Sequence, residues 1–257
     1  MFNFIKKNKT SQLNNYTACE ITKKVEEADN WYFGQNGYQV DKLRAFVIYE
    51  EAGLLGDSYS QLMVGYMYDF GDGIPSDSKK AIKWYKMASD NGDSDATLNL
   101  ANIYLIGRGI AENRKKGCNL LQKAADMGNA IAASSLGNEY TLGEALPRNL
   151  SVAVYWINKA ESQGYINCST MTNLGLLYEQ EGNYEKAFEC FTKAVSVEPS
   201  NTNAQYLYAQ YKFYGKGTKS DLHDAKVRLE QVVRDDPSDR DAYELLQEVL
   251  RKERLLR

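Results

Sequence analysis

His223 is the only histidine in the chain and the first place to look for acid–base chemistry, because imidazole exchanges a proton near neutral pH. It stands two residues beyond Asp221, which reads as a helix cap. A solvated surface position is therefore expected, and no Ser-His-Asp or Cys-His set assembles around it. The four cysteines, Cys19, Cys118, Cys168 and Cys190, form no CxxC pair and share no spacing. Reduced, semi-buried thiols fit them better than disulfides or a metal site. The Gly-x-Gly pairs 71/73, 107/109 and 215/217 look superficially like phosphate loops, but none continues into Gly-Lys-Ser/Thr, so they are read as turns. The triplets beginning at Asn8, Asn149 and Asn167 match a glycosylation acceptor only as chance matches in an Asn-rich chain. No catalytic, cofactor-binding or metal-binding residue is assigned, and no cofactor is expected.

What those residues stand on is set by the bulk of the chain. Of 257 residues, 43% are hydrophobic and 25% charged, enough apolar material for a sizeable core. Lys plus Arg number 31 against 34 Asp plus Glu, a net charge of −3, which disfavours nucleic acid and acidic membranes as partners. The start, MFNFIKKNKT, has no apolar stretch long enough for a signal core or a membrane span, and a cytoplasmic location is expected.

Shifting the sequence by 36 residues superposes it on itself. Gly65, Ala101 and Gly137 coincide, as do Tyr68, Tyr104 and Tyr140, then Gly71, Gly107 and Gly143. Downstream, Asp77, Asn113 and Asn149 fall together, then Trp84, Leu120 and Trp156, then Ala88, Ala124 and Ala160. Four units span about 21–56, 57–92, 93–128 and 129–164. Small residues at fixed slots let two helix backbones cross closely while Tyr68 and Trp84 fill the space beside them. Gly71 and Gly73 can take the positive φ that ends a helix, Pro75 blocks its resumption, and Asp77 reads as the N-cap of the next. The unit is a helical hairpin.

The string Val64-Gly65-x-x-Tyr68-x-x-Gly71-x-Gly73-Ile74, with Lys80-Ala81-x-x-Trp84-Tyr85-x-x-Ala88, resembles a Sel-1-like repeat. From about 165 to 201 the loop shortens, and Met171, Leu174, Gly175, Tyr178, Ala187, Phe191, Ala194 and Pro199 resemble a tetratricopeptide repeat. A divergent Sel-1-like hairpin follows at 202–237, with Lys212 in the tyrosine slot. Residues 238–257 read as a capping helix with Ala242, Leu245, Leu246, Val249 and Leu250 inward. Residues 1–20 are left as an N-terminal cap or disordered segment. The fold class is all-α: an α/α superhelical solenoid of about six helical hairpins plus a C-terminal capping helix.

The resemblance implies that the first helices line a concave groove. Carrying over the tetratricopeptide frame places Asn30, Tyr66, Asn102, Asn138, Leu176 and Gln210 in the groove-facing slot. Neighbouring slots add Asp69, Phe70, Asn99, Asn173, Tyr206, Phe213 and Tyr214. Amides both donate and accept, so a row of them beside aromatics suits an extended peptide. The basic fifth slot of carboxylate-clamp domains is absent here, where Glu26, Leu62, Leu98, Ser134, Thr172 and Tyr206 stand.

The expected function is a non-catalytic interaction scaffold or adaptor for a protein or peptide. The alternatives are an immunity or regulatory protein that neutralises a toxin or enzyme by tight binding, and an enzyme related to the cell wall or β-lactams. The last departs from the residues, since the paired cysteines of such Sel-1-like proteins are missing. Oligomeric state is not set by the sequence.

Overall fold

The computed structural model describes residues 16–256 and contains thirteen α-helices, with no strand among the described residues. They are α1 (Ala18–Phe33), α2 (Lys42–Leu54), α3 (Ser58–Phe70), α4 (Ser78–Asp90), α5 (Ser94–Ile106), α6 (Arg114–Asp126) and α7 (Ala130–Leu142). The rest are α8 (Leu150–Ser162), α9 (Cys168–Gln180), α10 (Tyr184–Val197), α11 (Thr202–Tyr214), α12 (Leu222–Asp235) and α13 (Arg240–Leu255). Consecutive helices pair as hairpins, α1 with α2 through α11 with α12, and α13 closes the series. The chain divides into two compact units at Asn129/Ala130, the first holding α1–α6 and the second α7–α13.

Each hairpin is made by local chemistry that the repeat copies. Asp77 lies at the start of α4 and its carboxylate accepts from Lys80 N–H at 3.1 Å. Asn113 does the same for α6 from Lys116 N–H at 3.0 Å. The same cap residues donate their own N–H groups back to the first helix: Asp77 to the Tyr68 carbonyl at 2.8 Å, Asn113 to Tyr104 at 2.8 Å, Asn149 to Tyr140 at 2.9 Å. Asp221 donates to Lys212 at 2.9 Å, so the slot keeps its backbone role where the tyrosine is lost. Asn149 and Asn167, which match a glycosylation triplet, are helix caps. Gly71 and Gly73 have φ of 69° and 78°, the left-handed region that ends α3. The N-terminal segment assigned to 1–20 lies mostly outside the described residues. Within it, Thr17 and Glu20 form a reciprocal capping box, so α1 begins at Ala18.

In the first unit the core runs through Ala45, Phe46, Tyr49, Val64, Met67 and Trp84, then through Ala81, Tyr85, Ala88, Leu100 and Ile103. Small residues set the helix spacing: a side-chain carbon at Gly65 would lie 2.6 Å from Tyr85 Cδ1. In the second unit Met171, Leu174, Phe191 and Tyr211 share one cluster, and Phe213, Leu229, Leu245, Leu246 and Val249 share another beneath α13.

Candidate functional site

The residues singled out on the first helices do not share one fate. In the first unit, Tyr66 and Asn102 are exposed, Asn99 is half-buried, and half-buried Asn30 accepts from Asn36 Nδ2 at 2.8 Å. Tyr66 and Phe70 stand one turn apart on α3 with ring centroids 4.7 Å apart, and Phe70 is 56% exposed.

Asp69 departs from its expected place in a groove. Its side chain is only 3% exposed, and Oδ2 accepts from Arg108 Nη1 at 2.9 Å, Arg108 coming from the turn one repeat later. The Arg108 guanidinium also covers the Phe70 ring at 5.0 Å. Burial holds the Asp69 carboxyl above its ordinary range, with Arg108 pulling the other way. The Tyr85 hydroxyl, beside the same carboxylate, is pushed far up by burial. This group ties two hairpins together, and the second unit repeats it in the same slots: Lys216 Nζ lies 3.0 Å from Glu179 Oε1.

In the second unit, Asn173 Nδ2 donates to Asn138 Oδ1 at 2.8 Å, and both side chains are half-buried. Half-buried Gln210 donates to the Tyr206 hydroxyl at 3.5 Å. Phe213 also departs from the expected groove: it is 2% exposed and packs with Leu245, Leu246 and Val249 of the capping helix. Phe213 occupies the slot of Asp69, which in this chain turns toward the following element in both units.

Phe70 and Tyr214, both named from the sequence, belong to one recurring position. The last residue of a first helix, directly before its glycine cap, is apolar and exposed in every hairpin of the first unit: Phe33 at 52%, Phe70 at 56% and Ile106 at 61%. In the second unit Tyr214 is exposed in this slot, whereas Leu142 is half-buried and the polar Gln180 stands there on α9. The signal was available as an apolar residue standing before each helix-ending glycine.

His223 is exposed at the start of α12, and no group of three His, Cys, Asp or Glu among the described residues is placed to hold a metal ion. Cys118, Cys168 and Cys190 are buried and Cys19 is exposed, all four as free thiols. No described helix is long and apolar enough to cross a membrane.

The Sel1 repeat family profile matches residues 30–57, 58–93, 94–129, 130–165 and 202–226, and the tetratricopeptide repeat matches 169–201. The chain belongs to the Sel1 repeat family, with one tetratricopeptide unit set among its Sel1 repeats. No curated protein matches it. Among solved structures it is similar to c5321, a protective antigen present in uropathogenic Escherichia coli strains, with TM-score 0.72 and 25% identity over 83% of this chain. This chain spans 45% of that protein's length. A Sel1 repeat protein from Oxalobacter formigenes matches with TM-score 0.69 and 21% identity, covering 87% of this chain and 86% of the other. YrrB, a tetratricopeptide protein with an unusual peptide-binding site, matches with TM-score 0.54 and 16% identity over 79% of this chain and 98% of its own.

Proposed function

We propose that this protein is a non-catalytic scaffold that holds an extended segment of a protein partner along the exposed face of its first helices. Sel1 and tetratricopeptide repeat proteins generally mediate protein–protein interaction, which sets the class. The observation that carries the finer reading is the column Phe33, Phe70 and Ile106, beside the column Asn30, Tyr66 and Asn102. Packed helices stand about 8–10 Å apart. A peptide in the extended polyproline II form has about three residues per turn and rises about 3.1 Å per residue, so apolar side chains three residues apart share one face about 9 Å apart and meet successive members of the first column. Exposed Tyr66 and Asn102 then offer hydrogen bonds to its backbone. The net charge of −3 favours a protein partner over a polyanion.

The test is panning of a random peptide display library against the full chain. Enriched peptides with spaced aliphatic or aromatic residues, losing at least about tenfold in affinity against Phe70→Ala/Ile106→Ala, are expected. No enrichment, or peptides that bind this variant as tightly as the native protein, refutes the groove.

A further inference from the structure

The repeat makes it possible to separate what the fold requires on a helix from what it does not. Along the outer face of α4, Lys79, Lys83 and Lys86 fall at i, i+4 and i+7, all exposed, and Lys115 continues the row from the matching slot of α6. None of the four has a carboxylate within ion-pair distance among the described residues. By contrast, Lys24, Lys42, Lys80, Arg108 and Lys123 of the same unit are each paired with an acid. In the same slots α2 carries Leu43, Val47 and Glu50, and α10 carries Glu185, Glu189 and Thr192. The hairpin therefore folds with any chemistry there, and the lysine row is not a demand of the repeat.

The matching slots of α2 hold the other half of the surface. Leu43 and Val47 are 60% and 48% exposed, and with Ile48 they line a hollow of about 390 Å³ whose α1 side carries Glu27. The Trp84 side chain of α4 reaches α2: it shares a core cluster with Ala45, Phe46 and Tyr49, and a side-chain carbon at Gly53 would lie 3.0 Å from its ring. An apolar strip thus runs beside an unpaired basic row.

We infer that this outer face of α2 and α4 is a second docking surface, and that its occupant is an amphipathic helix of a partner protein with an acidic flank. An apolar strip with one charged border is what a helix with an apolar face and a carboxylate edge complements. The acidic edge faces the α4 lysines, because Glu27 of α1 and the α2 cap Asp41 line the hollow and would repel it there, while Arg44, which also lines it, covers the Trp31 ring at 4.0 Å. The chain's own first fifteen residues carry Lys6, Lys7 and Lys9 and no acid, so they do not complement the lysine row.

The probe is a labelled synthetic helix of about 18 residues with a leucine face and one glutamate flank, titrated against the full chain by fluorescence anisotropy. Binding is expected to weaken at least about tenfold with Leu43→Ser/Val47→Ser and again with Lys79→Glu/Lys83→Glu/Lys86→Glu, and to weaken with added salt. All five side chains are solvent-facing, and unchanged helicity by circular dichroism confirms that the variants fold. Equal affinity for a lysine-flanked peptide, no binding of the glutamate-flanked peptide, or binding untouched by either variant overturns the proposal. So does preferential binding of a single-stranded oligonucleotide, or self-association abolished by the same substitutions. The groove variant Phe70→Ala/Ile106→Ala leaves this binding intact, which keeps the two surfaces distinguishable.

Discussion

Ile157 of α8 packs directly on Gly137 of α7: a side-chain carbon at 137 would lie 2.6 Å from Ile157 Cγ1 and 3.1 Å from the Ala153 carbonyl oxygen. Backbone and isoleucine already fill the space, so Gly137→Leu forces the helices apart. A loss of about 1–3 kcal/mol is expected, read as a lower urea midpoint. An unchanged midpoint would place the helix crossing elsewhere.

Arg108 and Asp69 give a pH-dependent prediction. In Arg108→Leu the buried carboxylate loses its counter-charge, and its folded pKa climbs further above the unfolded value. The native state then holds a proton that the unfolded state releases, so stability falls as pH rises through the carboxylate range. Arg108 is about a third exposed, which discounts the expected cost to about 1–2 kcal/mol at pH 7. Urea unfolding of native and variant protein at pH 7 and pH 4.5, in the carboxylate range, checks it. The gap should narrow at the lower pH, and a constant gap would show that Arg108 stabilises by packing alone.

The thiols should divide sharply. Burial pushes Cys190 up to about 12 and raises Cys168 as well, whereas Cys19 is exposed. A thiol-specific chromogenic reagent at pH 8 should find one fast thiol in the native protein and four in denaturant. Rapid reaction of Cys190 in the folded chain would contradict its burial.

Asn102 and Asn138, in one slot of adjacent repeats, should behave differently. Asn102 is exposed, so Asn102→Ala should change stability by less than about 0.5 kcal/mol. Asn138 accepts from Asn173, so Asn138→Ala strips a half-buried amide of its partner and should cost about 1 kcal/mol. Thermal unfolding of the two single variants decides it, and equal effects would rule out the Asn138–Asn173 bond.

Sequence alone determined the hairpins of this protein, because what makes them is local. A cap accepts an N–H three residues on, a glycine takes the left-handed turn, and a small residue recurs where helices cross. Asp77, Gly71 and Gly137 can each be read within one repeat length. The tertiary structure decided which polar and apolar side chains are spoken for. Asp69 meets Arg108 across 39 residues, Asn138 meets Asn173 across 35, and Phe213 is covered by a helix that begins at Arg240. Phe213 and Tyr214 are sequence neighbours of similar type, one buried and one exposed, because a single residue step turns the side chain by about 100° around the helix. Only packing against the next element shows which of the two meets solvent.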